Sequence, residues 1–146
     1  MKEFYQMTKQ EKEETTTKIR QFLEKREEIS FSYIFGSFLE PENISFRDID
    51  VAVFLVKPAI EKEKVFNYET NLSVELGKFI NFSFDKIDIK VLNFAPVSFQ
   101  NNVFSRGKLL FVKDDNILDP IIEYSSLDAL ANEYISYQSF KELITR

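Results

Sequence analysis

The sequence predicts an α/β (α+β) fold in which helices flank a mixed, mostly antiparallel sheet of about four strands. Two observations support this prediction. Runs of alternating apolar and polar residues have the length of strands, and segments with amphipathic helical spacing separate them. With 146 residues, 44% of them hydrophobic and 29% charged, the chain is expected to form a single globular domain over residues 1–146 with a substantial core.

Helix signals occur at both ends of the chain and between the strands. The stretch from Thr8 to Glu11 matches a capping box, which predicts a first helix over residues 8–28. Apolar spacing predicts a second helix from Ile60 to about Ile80. Pro96 suits the first position of a short third helix. Asp119 is expected to be the N-cap of a C-terminal helical region over residues 119–145, formed as one helix or as two.

The strand pattern is most regular in the middle of the chain. The first two strands are joined by a short turn-rich segment, so they are expected to be antiparallel neighbours. The second is apolar on both faces after two acidic residues and is expected to lie centrally in the sheet. The four predicted strands cover residues 30–35, 48–56, 86–94 and 108–113.

The composition excludes several kinds of chemistry. The chain has no cysteine, which excludes disulfides and thiolate metal sites, and no histidine, which excludes histidine acid-base catalysis and the common zinc sites. The formal net charge of -5 opposes nonspecific binding to DNA, RNA or an anionic membrane, so no such binding is expected. The sequence has neither a signal-peptide pattern nor an apolar run of membrane-spanning length, so the cytoplasm is the expected location.

An acidic pair opens the second predicted strand. Side chains alternate along a strand, so Asp48 and Asp50 point to one face. Asp88 lies within a β-branched run of the third predicted strand and joins them if these two strands are sheet neighbours. A structural alternative is that the pair merely begins a strand at the surface. Close carboxylates repel one another unless a cation or a proton compensates them, and Mg²⁺ prefers such oxygen ligands.

A glycine-serine turn precedes the acidic pair. Gly36 lets the backbone approach a phosphate closely, and the N-H and hydroxyl groups of Ser37 can donate hydrogen bonds to its oxygens. Two metal ions held by the three carboxylates can activate an attacking hydroxyl and stabilise a leaving phosphate oxygen. The combination predicts nucleotidyl transfer from a nucleoside triphosphate.

This arrangement resembles the signature of the DNA polymerase β-type nucleotidyltransferase superfamily. Gly36-Ser37 is followed after ten residues by Asp48-Ile49-Asp50, and later by Asp88 on a strand. Other segments are similar to the minimal nucleotidyltransferases, the MntA-type antitoxins that are paired with HEPN-domain toxins. The resemblance covers about residues 30–113. The segments that carry the second similarity are Asp88-Ile89-Lys90-Val91-Leu92-Asn93, Ala95-Pro96 and Arg106-Gly107-Lys108-Leu109-Leu110-Phe111.

The resemblance implies a polymerase β-like fold and an activity. Members of the family transfer a nucleoside monophosphate with Mg²⁺, and the minimal antitoxins add AMP from ATP to a tyrosine of the partner HEPN toxin. By motif position, Asp48, Asp50 and Asp88 would be the catalytic residues and the ligands of two Mg²⁺ ions. Gly36 and Ser37 would bind the triphosphate. The resemblance therefore implies a hetero-oligomer with a HEPN toxin.

One segment departs from the family pattern. Minimal members commonly have Arg-Gly where this chain has Glu40-Pro41, and an acid there would oppose a triphosphate. Arg47, directly before Asp48, could supply the positive charge in its place and is included among the nucleotide-binding residues. The alternative functions are a small-molecule or RNA nucleotidyltransferase and a weakly active module that neutralises a helical partner by contact.

Overall fold

The computed structural model describes residues 5–40, 45–56 and 60–126. Six strands and three complete helices lie in these ranges, and residues 115–126 are also helical. In chain order the elements are β1 (Tyr5–Gln6), α1 (Lys9–Glu24), β2 (Ile29–Phe35), β3 (Ser45–Phe46), β4 (Ile49–Leu55), α2 (Val65–Ile80), β5 (Ile87–Val91), α3 (Val97–Arg106) and β6 (Lys108–Val112).

The main sheet has four strands in the order β5-β4-β2-β6. Strand β2 pairs antiparallel with β4 and β6, whereas β4 pairs parallel with β5. Strands β1 and β3 form a separate antiparallel pair. This arrangement confirms the mixed, mostly antiparallel sheet, the antiparallel pairing of the first two predicted strands and the central position of the second.

Helices cover both faces of the main sheet. On one face, α1 and α2 pack against alternate residues of β4 and β5, and the side chains of Ile19, Leu23, Leu72 and Leu76 are buried there. On the other face, α3 and the helical residues 115–126 pack against a second, aromatic-rich cluster around Phe31 and Tyr33. The sheet is therefore the central layer of the described fold.

The first helix begins where the capping box predicts. The Glu11 N-H donates to Thr8 Oγ1 over 3.1 Å, and the Thr8 N-H donates to Glu11 Oε1 over 3.0 Å. The helix ends at Glu24, earlier than the predicted residue 28. The chain must turn at this point because Ile29, the first residue of β2, is fully buried in the sheet. The Ile29 N-H donates to the carbonyl of Arg26 within this turn.

Two other predicted boundaries are wrong. Helix α2 begins at Val65 instead of Ile60, because the intervening charged residues 61–64 are exposed and have no apolar side chain to pack. Strand β5 ends at Val91 instead of residue 94. Beyond it, the Asn93 side chain bonds the main-chain N-H and C=O of Leu55, at 2.8 and 3.0 Å, in place of a further strand pair.

The C-terminal helical region begins earlier than predicted. Residues 115–126 are helical, and Asp114 Oδ1 accepts a hydrogen bond from the Asn116 N-H, so the prediction of Asp119 as N-cap is wrong. Burial of Leu118 in the second core cluster explains the earlier start. The predicted remainder, residues 127–145, lies outside the described residues. No helix within the described ranges is both long and apolar enough to cross a membrane.

Candidate active site

The parallel pairing of β4 with β5 brings the predicted acidic residues together. In its register Asp50 lies opposite Asp88, and Asp48 precedes β4 by one residue. Asp50 is half-buried and Asp88 is exposed, whereas the neighbouring Ile49 and Ile87 point into the core. The three carboxylates thus lie at the same end of the sheet, as the sequence predicts.

The pKa of Asp50 reflects both its burial and the two neighbouring carboxylates. The pKa of Asp50 is raised from 3.8 to about 6, first by its burial and then by the negative charges of Asp88 and Asp48. The positive charge of Lys90 acts in the opposite direction. The ionised cluster is therefore unfavourable without added positive charge.

The glycine-serine turn contacts this cluster directly. Phe35, the last residue of β2, lies opposite Asp50, so Gly36 follows at the same end of the sheet. Gly36 has a φ of 80°, and a Cβ atom there would overlap Asp50 Oδ2 and lie 3.1 Å from its Cγ. Ser37 is half-buried and begins a short 3-10 turn, Ser37–Leu39. Glycine is required here both for its backbone conformation and for the space its missing side chain leaves to the carboxylate.

Lys12 of helix α1 supports this turn, a role that no pattern in the sequence indicated. Its Nζ donates to the carbonyl of Glu40 over 3.3 Å and lies 5.4 and 5.5 Å from the ring centres of Phe38 and Phe46. Burial lowers the pKa of Lys12, and the charge of Glu40 opposes this effect. Glu40 therefore lies close to a cation on α1, while its neighbour Pro41 is outside the described residues.

Two further cations lie near the acids. Lys90 Nζ is 3.8 Å from Asp88 Oδ1, on the same face of β5. The two-residue spacing of Asp88 and Lys90 would have indicated this neighbour, because side chains alternate along a strand. Arg47 is exposed in the bend that precedes Asp48.

The residues at this end of the sheet have the right chemistry for a hard divalent cation. Carboxylate oxygens are the ligands that Mg²⁺ prefers, and a bound cation would offset the burial and the neighbouring negative charges that raise the pKa of Asp50. The carboxylates do not form a ready-made cage, since no group of three or more His, Cys, Asp or Glu side chains in the described part of the chain is placed to hold a metal ion.

A family comparison agrees with this geometry. The family described as Polymerase beta, Nucleotidyltransferase matches residues 17–116, which contain the glycine-serine turn and all three acids. None of the curated protein sequences matches the chain.

Solved structures with the same fold come from toxin-antitoxin complexes. One is a complex of the tri-AMPylated Shewanella oneidensis HEPN toxin with MNT antitoxin, at 16% identity and a TM-score of 0.61, covering 92% of this chain and 99% of the matched chain. A second is the toxin-antitoxin pair MntA-HepT, with 16% identity, a TM-score of 0.60 and the same coverage. A third is a toxin-antitoxin with AMP-PNP, with 16% identity, a TM-score of 0.60 and coverage of 92% and 98%. At this identity the likeness establishes the fold.

Proposed function

Because the chain belongs to the polymerase beta nucleotidyltransferase family, we propose that it transfers AMP from ATP, in the presence of Mg²⁺, to a tyrosine hydroxyl of a HEPN toxin. It would thereby act as the antitoxin of that toxin. The cytoplasm is the proposed location, as it supplies ATP. The fold is that of chains in MNT antitoxin-HEPN toxin complexes, one of them with an AMPylated toxin.

The observation that carries this proposal is the contact between the glycine-serine turn and the acidic cluster. Gly36 approaches Asp50 so closely that no side chain fits between them, and Asp88 lies opposite Asp50 on the next strand. A triphosphate bound at the turn would have its α-phosphate beside the carboxylates. This is the arrangement needed to break the bond between the α- and β-phosphates, whereas a plain structural role leaves the clustered acids unexplained.

The residues of this chain would have distinct tasks. Gly36 and Ser37 would bind the triphosphate through the backbone and the serine hydroxyl, and Arg47 would add positive charge at its edge. Asp48, Asp50 and Asp88 would hold Mg²⁺, which when bound neutralises charge on the phosphates. Asp88, the most exposed of the three, would also accept the proton of the incoming tyrosine hydroxyl. Lys12 would keep the turn in position through the Glu40 carbonyl.

A labelling experiment tests the proposal. The protein is incubated with Mg²⁺, the HEPN toxin of its pair and ATP labelled in either the α- or the γ-phosphate. We expect only the α-label to appear on a tyrosine of the toxin. Asp50→Asn should lower the rate about 1,000-fold, because metal-based stabilisation contributes several kcal/mol. Asp115→Asn, at an exposed helical position, is the matched control and should retain the wild-type rate.

Other outcomes would decide against the proposal. Transfer of the γ-label would identify phosphoryl transfer instead. If Asp50→Asn labelled the toxin as fast as wild type, the acids would have no role in the reaction. A toxin that is neutralised without any label would favour the contact module. Labelling of an RNA or a small alcohol in place of the toxin would favour the other transferase alternatives.

A further inference from the structure

The order of the strands sets the direction from which the acceptor must approach. The turn that would hold the departing pyrophosphate lies at the end of β2, and the acids lie on β4 and β5, in the order β5-β4-β2. In an in-line displacement the attacking oxygen enters opposite the leaving group. The nucleoside stays bonded to the phosphorus throughout and occupies neither of these two directions. The acceptor hydroxyl therefore enters from the β5 side.

The β5 side carries two adjoining cavities. One, of about 210 Å³, is lined by Phe66, Phe84 and Asp88, and the other, of about 370 Å³, lies between α2, the end of β5 and α3 and includes Phe94. Glu69 and Lys90 line both cavities and so join them. We call this strip the β5 edge surface, defined by Phe66, Glu69, Phe84, Asp88, Lys90 and Phe94.

Three phenylalanines on the β5 edge surface are unusually exposed. The exposed fractions of Phe66, Phe84 and Phe94 are 74%, 51% and 40%. Large apolar side chains that cluster at the surface beside polar groups are typical of protein-binding sites, and aromatic residues contribute strongly to binding there. The strip is continuous with Asp88, the acid from whose side the acceptor enters.

The main chain of this edge is partly capped already. The Val91 N-H donates to Glu69 Oε2 over 2.8 Å, which satisfies a donor that an added strand would otherwise use. Recognition along the β5 edge surface therefore depends on side chains entering the two cavities. Each cavity has the size of one or a few side chains. The lining of the larger cavity is mostly apolar and favours an aromatic or aliphatic group, whereas the smaller cavity combines Phe66 and Phe84 with charged residues such as Asp88.

From these observations we infer that the β5 edge surface docks the acceptor segment of the partner protein, a polypeptide segment in which apolar side chains flank the tyrosine that is modified. This inference rests on the proposed function for the identity of the tyrosine. The flanking side chains occupy the phenylalanine-lined cavities and hold the phenol oxygen beside Asp88. Lys90, at the junction of the cavities, offers a partner to an acidic residue in the segment.

Binding measurements test the docking surface independently of catalysis. The dissociation constants of the unmodified HEPN toxin and of ATP with Mg²⁺ are measured by calorimetry for wild type and for the double variant Phe66→Ala, Phe94→Ala. We expect toxin binding to weaken at least about tenfold, with ATP binding unchanged within about twofold. A synthetic peptide that spans the acceptor tyrosine should show the same loss if the segment alone is recognised.

The chain offers a matched control in Phe79. It is an exposed phenylalanine of the same helix, α2, but packs against Phe22 of α1, with 5.4 Å between ring centres, and lines neither cavity. Phe79→Ala should leave toxin binding unchanged, and thermal unfolding should verify that all variants are folded.

Four results separate the possible failures. Weakened ATP binding with unchanged toxin binding would assign the strip to the nucleobase and overturn the inference. Unchanged binding of both, or an equal loss in Phe79→Ala, would overturn it as well. If wild type binds the toxin through the β5 edge surface but never labels it, the proposed function fails while the docking surface stands.

Discussion

Successive side chains of β4 and β5 alternate between the two faces of the sheet, and the two faces have opposite properties. Facing α1 and α2, Ile49, Val51, Ile87 and Ile89 are at most 5% exposed. On the opposite face, Asp50 is half-buried and Asp88 is exposed. The first face stabilises the fold through apolar packing along its whole length. The opposite face is apolar at Ala52, in the second core cluster, but at the end that holds Asp50 and Asp88 it concentrates like charges that burial penalises. Both faces depend on the same strand register, so the apolar packing of the core must offset the unfavourable burial of the acids.

The largest expected effect is that of a core substitution, which should lower the free energy of unfolding without changing the acidic site. Leu76 of α2 is fully buried against the sheet, and Leu76→Ala should lower the free energy of unfolding by about 3 kcal/mol through lost apolar contact and a residual cavity. Urea denaturation measures this change. Asn71→Ala, at an exposed position of the same helix, should change it little. If Leu76→Ala also raised the KM for ATP while folded, the two faces would be coupled more tightly than their packing indicates.

A substitution in the glycine-serine turn should lower activity more than stability. A methyl group at Gly36 would collide with the Asp50 carboxylate, and alanine is strained at a φ of 80°. Gly36→Ala should therefore lower kcat/KM for AMP transfer about 100-fold, equivalent to about 2.7 kcal/mol, with a smaller effect on unfolding.

The matched control for this variant is Gly107→Ala. A Cβ there would meet Val103, Ile34 and Tyr33 and none of the acids, so it should lower stability and leave the KM for ATP unchanged. If the two glycine variants lost activity and stability in the same proportion, Gly36 would be structural only.

The smallest predicted effect concerns the stability cost of the acidic face. Because the pKa of Asp50 is raised to about 6, its folded state binds a proton that the unfolded state releases at lower pH, and stability falls as the pH rises from about 4 to 6. Asp50→Asn should therefore raise the free energy of unfolding at pH 8 by about 1 kcal/mol, a value reduced because solvent screens this half-buried group. At pH 4 the two proteins should be equally stable.

Denaturation at the two pH values measures this difference. Added Mg²⁺ should raise the stability of wild type at pH 8 and have less effect on Asp50→Asn. A variant that is less stable than wild type at pH 8 would mean that favourable partners, rather than repulsion, dominate around Asp50.

Much of the fold could be predicted because its signals are local. The capping box at Thr8 and the alternation in β4 and β5 depend on residues close in sequence, and both predictions are confirmed. The predicted N-cap at Asp119 failed because burial of Leu118 against a distant core cluster extends the helix toward its N-terminus. The start of α2 was missed for the converse reason, as its predicted first turn has little to pack against.

The candidate site likewise has parts that the sequence predicts and parts that depend on the tertiary structure. By itself the sequence predicted that Asp48 and Asp50 lie close together at the start of a strand and that Gly36-Ser37 makes a turn before them, because alternation and backbone freedom are properties of adjacent residues. Strand β4 begins one residue later than predicted, at Ile49, so Asp48 lies just before it. Only the tertiary structure decided that β5 pairs parallel with β4 and so places Asp88 opposite Asp50. It also decided that Gly36 contacts Asp50 and that Lys12 supports the turn. These contacts join residues far apart in the chain, and they form only because the apolar faces of the strands and helices must be buried together.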